Sequence, residues 1–233
     1  MPQIKFLKDY RRLPCLLAGG TVFCAFDTET TGLHSQTDRV IEIGAVRFCM
    51  QAAGDAQSSG AFAATAGELG TVAAFGGRRA VVLDRFDALI NPGIPLPAIC
   101  AELSHITDGM VADKPACADV LPEFLRFIDG AVLVAHNAPF DVKFVNAELE
   151  RAGLEPLSVP VLDTLRLSRT VLPANGHWSL QHLAQQFGIA VHAAHRADDD
   201  ARVCMEVLLR LVQTMQEQAA ARKSLAASAL EAE

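Results

Sequence analysis

VFCAFDTETTG (residues 22–32) is the stretch of sequence that decides the fold of this chain. It opens with a nearly continuous apolar run, residues 22–26, which is typical of a central strand buried on both faces. Side chains alternate along a strand, so Asp27 and Glu29 are predicted to point the same way at its C-terminal end. The alternative for this pair is a solvated turn, because the motif is rich in turn-forming residues.

The elements predicted after this strand place it in a mixed sheet. Residues 40–48 (VIEIGAVRF) are its predicted neighbour, and residues 81–90 supply a third strand before the turn at 91–93. Strands at 131–135 and 159–162 then alternate with helices at 118–128, 138–151, 164–171, 179–187 and 197 to about 218. The pattern predicts an α/β fold with a mixed five-stranded sheet flanked by helices.

The chain is predicted to form one main domain with additions. Residues 51–80 are rich in alanine and glycine and poor in large apolar side chains, so they are predicted to form a flexible insertion. The domain is expected to span residues 21–215, with an N-terminal extension over 1–20 and a C-terminal tail over 216–233. The alanine-rich last residues, from 219 onward, are expected to fray.

Composition limits the class of protein. The chain has 233 residues, 51% of them hydrophobic, which is enough to bury the core of a single-domain enzyme. Its formal net charge of −7 argues against a general binder of polyanions, although bound cations can supply positive charge inside an acidic site. Six scattered cysteines without a CxxC pair favour a reduced, cytoplasmic protein. No apolar run reaches the roughly 20 residues of a membrane-spanning helix.

A second acidic motif is HNAPFD (residues 136–141), where a predicted strand gives way to a helix. Asp141 falls in the first helical turn, where a carboxylate commonly does no more than complement the helix dipole. Its position at the C-terminal end of a strand also fits a metal ligand, because sites in open α/β sheets gather there.

A third motif is HRADDD (residues 195–200), at the start of the last predicted helix. His195 precedes the helix, where a loop histidine can approach a reacting water, and the aspartates on the helix can bind a metal. The alternative is three aspartates that only stabilise the helix N-terminus beside a surface histidine. The chain has neither a GxxxxGK[ST] loop nor an HExxH pair, so a P-loop and a zinc protease site are not supported.

Together the three segments offer carboxylates and an imidazole to one site. Those are the groups a protein needs to hold two divalent cations and to deprotonate a water beside them. The sequence therefore predicts phosphodiester hydrolysis.

In this order, FDTETTG, HNAPFD and HRADDD resemble the three motifs of the DEDDh 3′-5′ exonucleases, the superfamily of the DNA polymerase III epsilon subunit and ribonuclease T. The resemblance extends over residues 21–213 and includes NPGIP (91–95), HITDGMV (105–111) and LDTL (162–165). It implies a ribonuclease H-like fold. The insertion at 51–80 is a departure from the family pattern, and no clamp-binding peptide is evident after residue 213.

The resemblance also implies a role for each site residue. Two Mg²⁺ or Mn²⁺ ions are expected to be bound by Asp27, Glu29, Asp141 and Asp200, with His195 as general base. Among the three aspartates of the last motif, only the resemblance selects Asp200. The residues expected to hold the terminal nucleotide or line its base pocket are Thr30, Leu33, His105, Ile106, Asn137 and Phe140.

The predicted function is 3′-5′ exonuclease activity that releases nucleoside 5′-monophosphates from DNA, in replication proofreading or repair. Single-stranded or frayed 3′ ends are the expected partners, because stacking on apolar side chains gives affinity without much positive surface. The sequence leaves open an exoribonuclease that trims RNA 3′ ends. A non-catalytic nucleic-acid-binding module is the alternative from another class, and a DNA polymerase is a candidate partner.

Overall fold

The central strand, β1 (Phe23–Thr30), continues through the acidic motif instead of ending before it. The computed structural model describes residues 5–52 and 78–231. The first four residues of β1 are fully buried, and the strand is paired with β2 from Phe23 to Thr30 and with β4 from Phe23 to Ala25. Asp27 and Glu29 therefore lie in regular strand, and the alternative of a solvated turn is wrong.

Five strands form one sheet in the order β3-β2-β1-β4-β5. The other strands are β2 (Val40–Ala52), β3 (Arg78–Leu89), β4 (Val132–Ala135) and β5 (Val161–Asp163). The first three form an antiparallel meander, and β4 and β5 run parallel to β1. The predicted mixed five-stranded sheet is confirmed.

The hairpin formed by β2 and β3 is longer than predicted. Pairing continues outward to Ala52 opposite Arg78, so both ends of the predicted insertion belong to strands. Residues 53–77, the rest of that insertion, lie outside the described residues.

Helices cover both faces of the sheet. They are α1 (Leu13–Ala18), α2 (Ala98–Ser104), α3 (Asp108–Val111), α4 (Cys117–Ile128), α5 (Ala138–Arg151), α6 (Thr164–Val171), α7 (Leu180–Phe187) and α8 (Ala197–Glu231). The predicted bounds of α5 and α6 are confirmed. The first three helices were not predicted, because each is too short to show a helical period.

The last helix is also longer than predicted. α8 runs to Glu231, so the predicted end near residue 218 and the predicted fraying from 219 are wrong. Residues 219–228 are exposed and lack an apolar face, but alanine, arginine and lysine all have high intrinsic helix propensity.

The apolar side chains on the two faces of β1 belong to two separate clusters. Phe23 and Ala25 pack with α8 and its neighbours, whereas Cys24 and Phe26 pack with α4 and α5. This alternation follows from the two-residue period of a strand. The residues of β1 that follow Phe26 belong to neither cluster, and they carry polar side chains.

The N-terminal extension packs against this domain. Leu13 and Leu17 are buried in the α8 cluster, and the backbone of Lys5 and Leu7 is hydrogen-bonded to Val161 on the edge strand. The domain boundary at residue 21 stays a prediction. Across residues 5–52 and 78–231, none of the helices combines the length and apolar character needed to cross a bilayer.

Candidate active site

β1 carries Asp27 and Glu29 into a cavity of about 500 Å³ at the end of the sheet. Both side chains are half-buried, and their partners across β2 are Gly44 and Glu42. Because the pairing with β2 stays in register from Asp27 to Glu29 and shifts only after Glu29, the two carboxylates face the same cavity, as predicted from their spacing.

Asp141 reaches this cavity from the first turn of α5. Both the backbone N–H and the hydroxyl of Thr28 donate to its Oδ1, at 3.1 and 2.9 Å. β4 lies parallel to β1 and ends at Ala135, so α5 begins beside the acidic end of β1. Asp141 is almost fully buried and accepts hydrogen bonds from Thr28 of β1. A carboxylate that only complements a helix dipole would be solvated and would not need such bonds.

His195 and Asp200 come from the start of α8 and line the same cavity. The backbone N–H of His195 donates to Oδ2 of Asp200 at 3.1 Å, which fixes the loop onto the first turn of the helix. Asp200 is buried and His195 is exposed. A buried carboxylate and a solvent-facing imidazole suit the separate roles that the sequence predicts.

Two residues of β2, Glu42 and Gly44, contact the beginning of α8. Glu42 has no exposed surface, accepts from the backbone N–H of Ala197 at 2.8 Å and pairs with the Arg196 guanidinium at 2.5 Å. At Gly44 an added Cβ would lie 2.1 Å from the carbonyl carbon of Ala197. The backbone of α8 therefore lies directly against β2, next to the strand that carries Asp27 and Glu29.

Three motif residues have left-handed backbone conformations. In the described ranges, His105, Asn137 and His195 are the only non-glycine residues with positive φ, at 59°, 67° and 62°. Asparagine and histidine tolerate this region better than most residues, but it still costs conformational energy. Such strain is concentrated at functional sites, and all three residues belong to predicted site motifs.

The acidic groups converge closely enough to share a cation. One ligand atom each from Glu29, His195 and Asp200 lies within 4.8 Å of the others. Asp27 and Asp141 line the same cavity, and their charges act on each other. The site is thus an acidic cluster that can hold a divalent cation.

The carboxylates are strongly perturbed by their surroundings. Loss of hydration, followed by the charges of Asp141 and Asp200, raises the pKa of Asp27 well above its usual range. Loss of hydration and the charge of Asp200 raise the pKa of Glu29 to about 8. Loss of hydration outweighs the opposing hydrogen bonds and raises the pKa of Asp141 to about 7 and that of Asp200 to about 6. Ionising all four together requires a compensating positive charge, which a bound divalent cation supplies.

The predicted substrate residues divide into two groups. Asn137 and Phe140 line the cavity with the acidic cluster. Leu33 lies outside that lining and is 71% exposed, so its side chain is available to a ligand. Ile106 is fully buried with Ile41 in a small apolar cluster, and its side chain offers no surface to a base in this conformation. The substrate roles of Thr30 and His105, which also lie outside the lining, stay predictions.

Sequence reasoning missed several residues of the cavity. They are Thr28, His136, Leu165, Arg169, Trp178, Ser179, Leu180 and Gln181. Most lie on α6, on α7 or in the loop between them, which carries no acidic motif. Thr28, His136 and Leu165 belong to motifs that the sequence analysis quotes, and position in a motif was a usable signal for them. For the others the signal was compositional, since Trp178 is the single tryptophan of the chain and directly precedes a predicted helix.

A protein-family model described as "Exonuclease" (RNase T) matches residues 24–62 and 64–208. The chain is 44% identical over 192 residues to a protein named DNA polymerase III subunit epsilon of Treponema pallidum, covering 82% of this chain and 76% of the relative. It is 35% identical over 195 residues to the PolC-type DNA polymerase III of Caldanaerobacter subterraneus, covering 84% of this chain but only 12% of that protein.

Two solved structures share the fold. One is exonuclease X in complex with 5′ overhanging duplex DNA, with a TM-score of 0.55 and 24% identity over 82% of this chain and 92% of the other. The second is E. coli exonuclease I in complex with a dT13 oligonucleotide, with a TM-score of 0.63 and 18% identity over 85% of this chain and 42% of the other. At 24% and 18% sequence identity, the similarity to these two structures shows a shared fold and nothing more.

Proposed function

The chain belongs to the RNase T exonuclease family, and we propose that it is a 3′-5′ exonuclease that acts on single-stranded or frayed 3′ ends of DNA. One observation carries the proposal: the acidic residues of β1, α5 and α8 and the imidazole of His195 line one cavity. Choosing DNA over RNA rests on the 44% identity to a relative named as a DNA polymerase subunit.

Divalent cations fit the donor set of this cavity. Asp27, Glu29, Asp141 and Asp200 would hold them, and an all-oxygen carboxylate set suits Mg²⁺ or Mn²⁺. When bound, such ions supply the positive charge that activates a water and stabilises the leaving 3′-oxygen.

The chain's own groups provide the remaining parts of the reaction. His195, exposed at the cavity, takes the proton of the attacking water. The water oxygen bonds to the last phosphorus, the bond from that phosphorus to the upstream 3′-oxygen breaks, and the oxygen leaves with the electron pair and gains a proton. The products are a nucleoside 5′-monophosphate and a chain shorter by one nucleotide. Phe140 and Asn137 shape the cavity around the reacting end.

We also propose that the chain works with a DNA polymerase, as a proofreading exonuclease. Support comes from two relatives with polymerase names, one of which includes the matching segment as a small part of a much longer chain. Co-purification of the full chain with the polymerase of its own source would test this association.

Asp27 is the carboxylate whose charge interacts with all the other acidic groups of the cluster. Asp27→Asn should reduce the rate by at least 100-fold, because it removes a ligand charge at the centre of the cluster. The measurement is the stepwise shortening of 5′-labelled single-stranded DNA in Mg²⁺, because the label stays on the chain that loses its 3′ nucleotides. Asp113→Asn is the matched control, since that side chain is 81% exposed and does not line the cavity, and it should keep full activity.

The same assay separates the alternatives when matched RNA and DNA oligonucleotides are digested in parallel. Faster cleavage of RNA would replace the DNA proposal with 3′ trimming of RNA. Binding of DNA without cleavage in Mg²⁺ or Mn²⁺ would support the non-catalytic module. An Asp27→Asn protein as fast as the unmodified one would overturn the assigned chemistry.

A further inference from the structure

We infer that Arg169 and Trp178 form a subsite for the nucleotide upstream of the scissile bond, with Arg169 binding its phosphate and Trp178 stacking its base. The inference rests on the proposed function. It adds a specificity-determining surface that the acidic motifs do not provide.

The cavity is electrostatically two-sided. The four carboxylates come from β1, α5 and α8, and a second part of the lining comes from α6, the loop that follows it and the start of α7. Arg169, in the last turn of α6, is the only lysine or arginine among the lining residues. A polynucleotide held at its last phosphodiester must continue away from the carboxylates, and its next phosphate is an anion that needs a cation.

Arg169 is available for that contact. Its side chain is exposed, and within residues 5–52 and 78–231 no carboxylate lies within ion-pair distance of it. Its guanidinium carbon lies 5.8 Å from the centre of the Trp178 ring. A guanidinium stacked on an aromatic ring keeps its edge N–H groups directed outward, where they can bind phosphate oxygens.

Trp178 is held in place by groups of the site. Its indole Nε1 donates to the carbonyl of Leu172 at 3.0 Å. Its backbone lies beside the imidazole of His136, whose Nδ1 is 3.0 Å from the Thr164 hydroxyl. His136 belongs to the HNAPFD motif, so the tryptophan is linked to the strand end that starts α5. A ring fixed before binding loses little entropy when a base stacks on it.

The chain's single tryptophan makes the subsite directly observable. A His195→Ala protein in Mg²⁺ keeps Trp178 and cleaves slowly, so it can be titrated with thymidine 5′-monophosphate and with a thymidine tetranucleotide. The tetranucleotide should quench the fluorescence of Trp178, and the mononucleotide, which fills only the terminal position, should not. Equal responses to both, or no response when anisotropy shows that the tetranucleotide is bound, would overturn the subsite.

Kinetics provide a second, independent test. Arg169→Ala and Trp178→Leu should each lower kcat/KM on a DNA oligomer about tenfold or more, mostly through KM, because one phosphate contact or one stacked base is lost. Both variants should lose much less activity on the p-nitrophenyl ester of thymidine 5′-monophosphate than on the oligomer, because that substrate has no upstream nucleotide. Trp178→Phe should restore most of the oligomer activity. Arg166→Ala is the matched control, an exposed arginine of α6 that does not line the cavity.

The outcomes separate this inference from the function on which it rests. Equal losses on oligomer and ester would mean that the pair only supports the fold, and no loss on the oligomer would mean that it does not touch substrate. Either result would overturn the subsite. An unmodified protein that cleaves neither substrate would reject the proposed function, and the fluorescence titration would still decide whether an upstream nucleotide contacts Trp178.

Discussion

Glu42 is fully buried and does not line the active-site cavity, yet it fixes two groups that determine where His195 and Asp200 lie. It caps the first residue of α8 and pairs with Arg196, whose side chain is 31% exposed. A buried carboxylate is costly unless such partners compensate it. We therefore expect Glu42 to affect the proposed reaction through the position of α8.

Replacing Glu42 should affect stability and activity together. Glu42→Ala should lower the free energy of unfolding by about 1.5–3 kcal/mol, the usual range for charged hydrogen bonds, because Arg196 and Ala197 lose their acceptor. It should also lower kcat, whereas Glu42→Gln should lie between this variant and the unmodified protein. Urea denaturation and the oligonucleotide assay measure the two effects. Glu150→Ala, on the exposed face of α5, is the control, and a Glu42→Ala protein as stable as that control would contradict the assigned role.

The contact between β2 and α8 joins the two elements that carry most of the site. Gly44 pairs with Asp27 across the sheet, and the backbone of Ala197 and Asp198 occupies the space above it. No side chain can enter that space unless the helix moves. The glycine is needed here for close approach, because a strand position otherwise disfavours glycine.

Gly44→Ala should displace the start of α8. The added methyl group would meet backbone atoms that cannot rotate away, so we expect a loss of stability of about 1–3 kcal/mol or more. Activity should fall even in the fraction that remains folded, because His195 and Asp200 move with the helix. Thermal denaturation and the cleavage rate test this together. Gly109→Ala serves as the control, since its nearest neighbour is the Thr107 hydroxyl at 3.9 Å, and similar behaviour of both variants would refute the argument.

The parts of the fold that the sequence predicted are those with local signals. The bounds of α6 were predictable because Asp163 caps it and accepts from Leu165. α7 likewise has local signals at both ends, because the Ser179 side chain accepts from the backbone N–H of His182 and Gly188 ends the helix in the left-handed conformation. The three motifs meet in one cavity because strand ends and helix starts gather at one edge of a mixed sheet.

What the sequence did not predict depends on contacts between distant segments. β1 extends to Thr30 because β2 pairs with it, and no local pattern shows that pairing. The burial of Ile106 and the contact between His136 and Thr164 likewise arise only when separated elements pack together. The length of α8 was missed because its outer half has no apolar face to produce a period.

The acidic cluster makes the stability of the whole molecule depend on pH and on cations. The pKa values of Glu29 and Asp141, about 8 and 7, lie above the ordinary 4.5 and 3.8, so the folded chain binds more protons than the unfolded chain between those limits. Stability from these groups is therefore lost as pH rises. Burial lowers the pKa of His136 from 6.5 to about 4, which acts in the opposite direction only below pH 6.5.

Between pH 6.5 and 8 the carboxylates should dominate this dependence. In EDTA the melting temperature should fall as the pH is raised through that window. Mg²⁺ should raise it again, and by more at pH 8 than at pH 6.5, because the cation competes with protons for the same oxygens. The measurement is a set of thermal melts with and without Mg²⁺. In Asp141→Asn the melting temperature should fall less steeply with pH. A melting temperature that depends neither on pH nor on Mg²⁺ would contradict this prediction.

The acidic residues come from opposite ends of the described chain, on β1, at the start of α5 and at the start of α8. During synthesis the first strand leaves the ribosome long before the last helix, and until that helix docks the cavity lacks both its imidazole and its last carboxylate. A growing or half-folded polypeptide therefore holds an incomplete set of reactive groups. On the proposed mechanism, cleavage of nucleic acid requires the docked last helix, so we expect partly folded copies to be inactive.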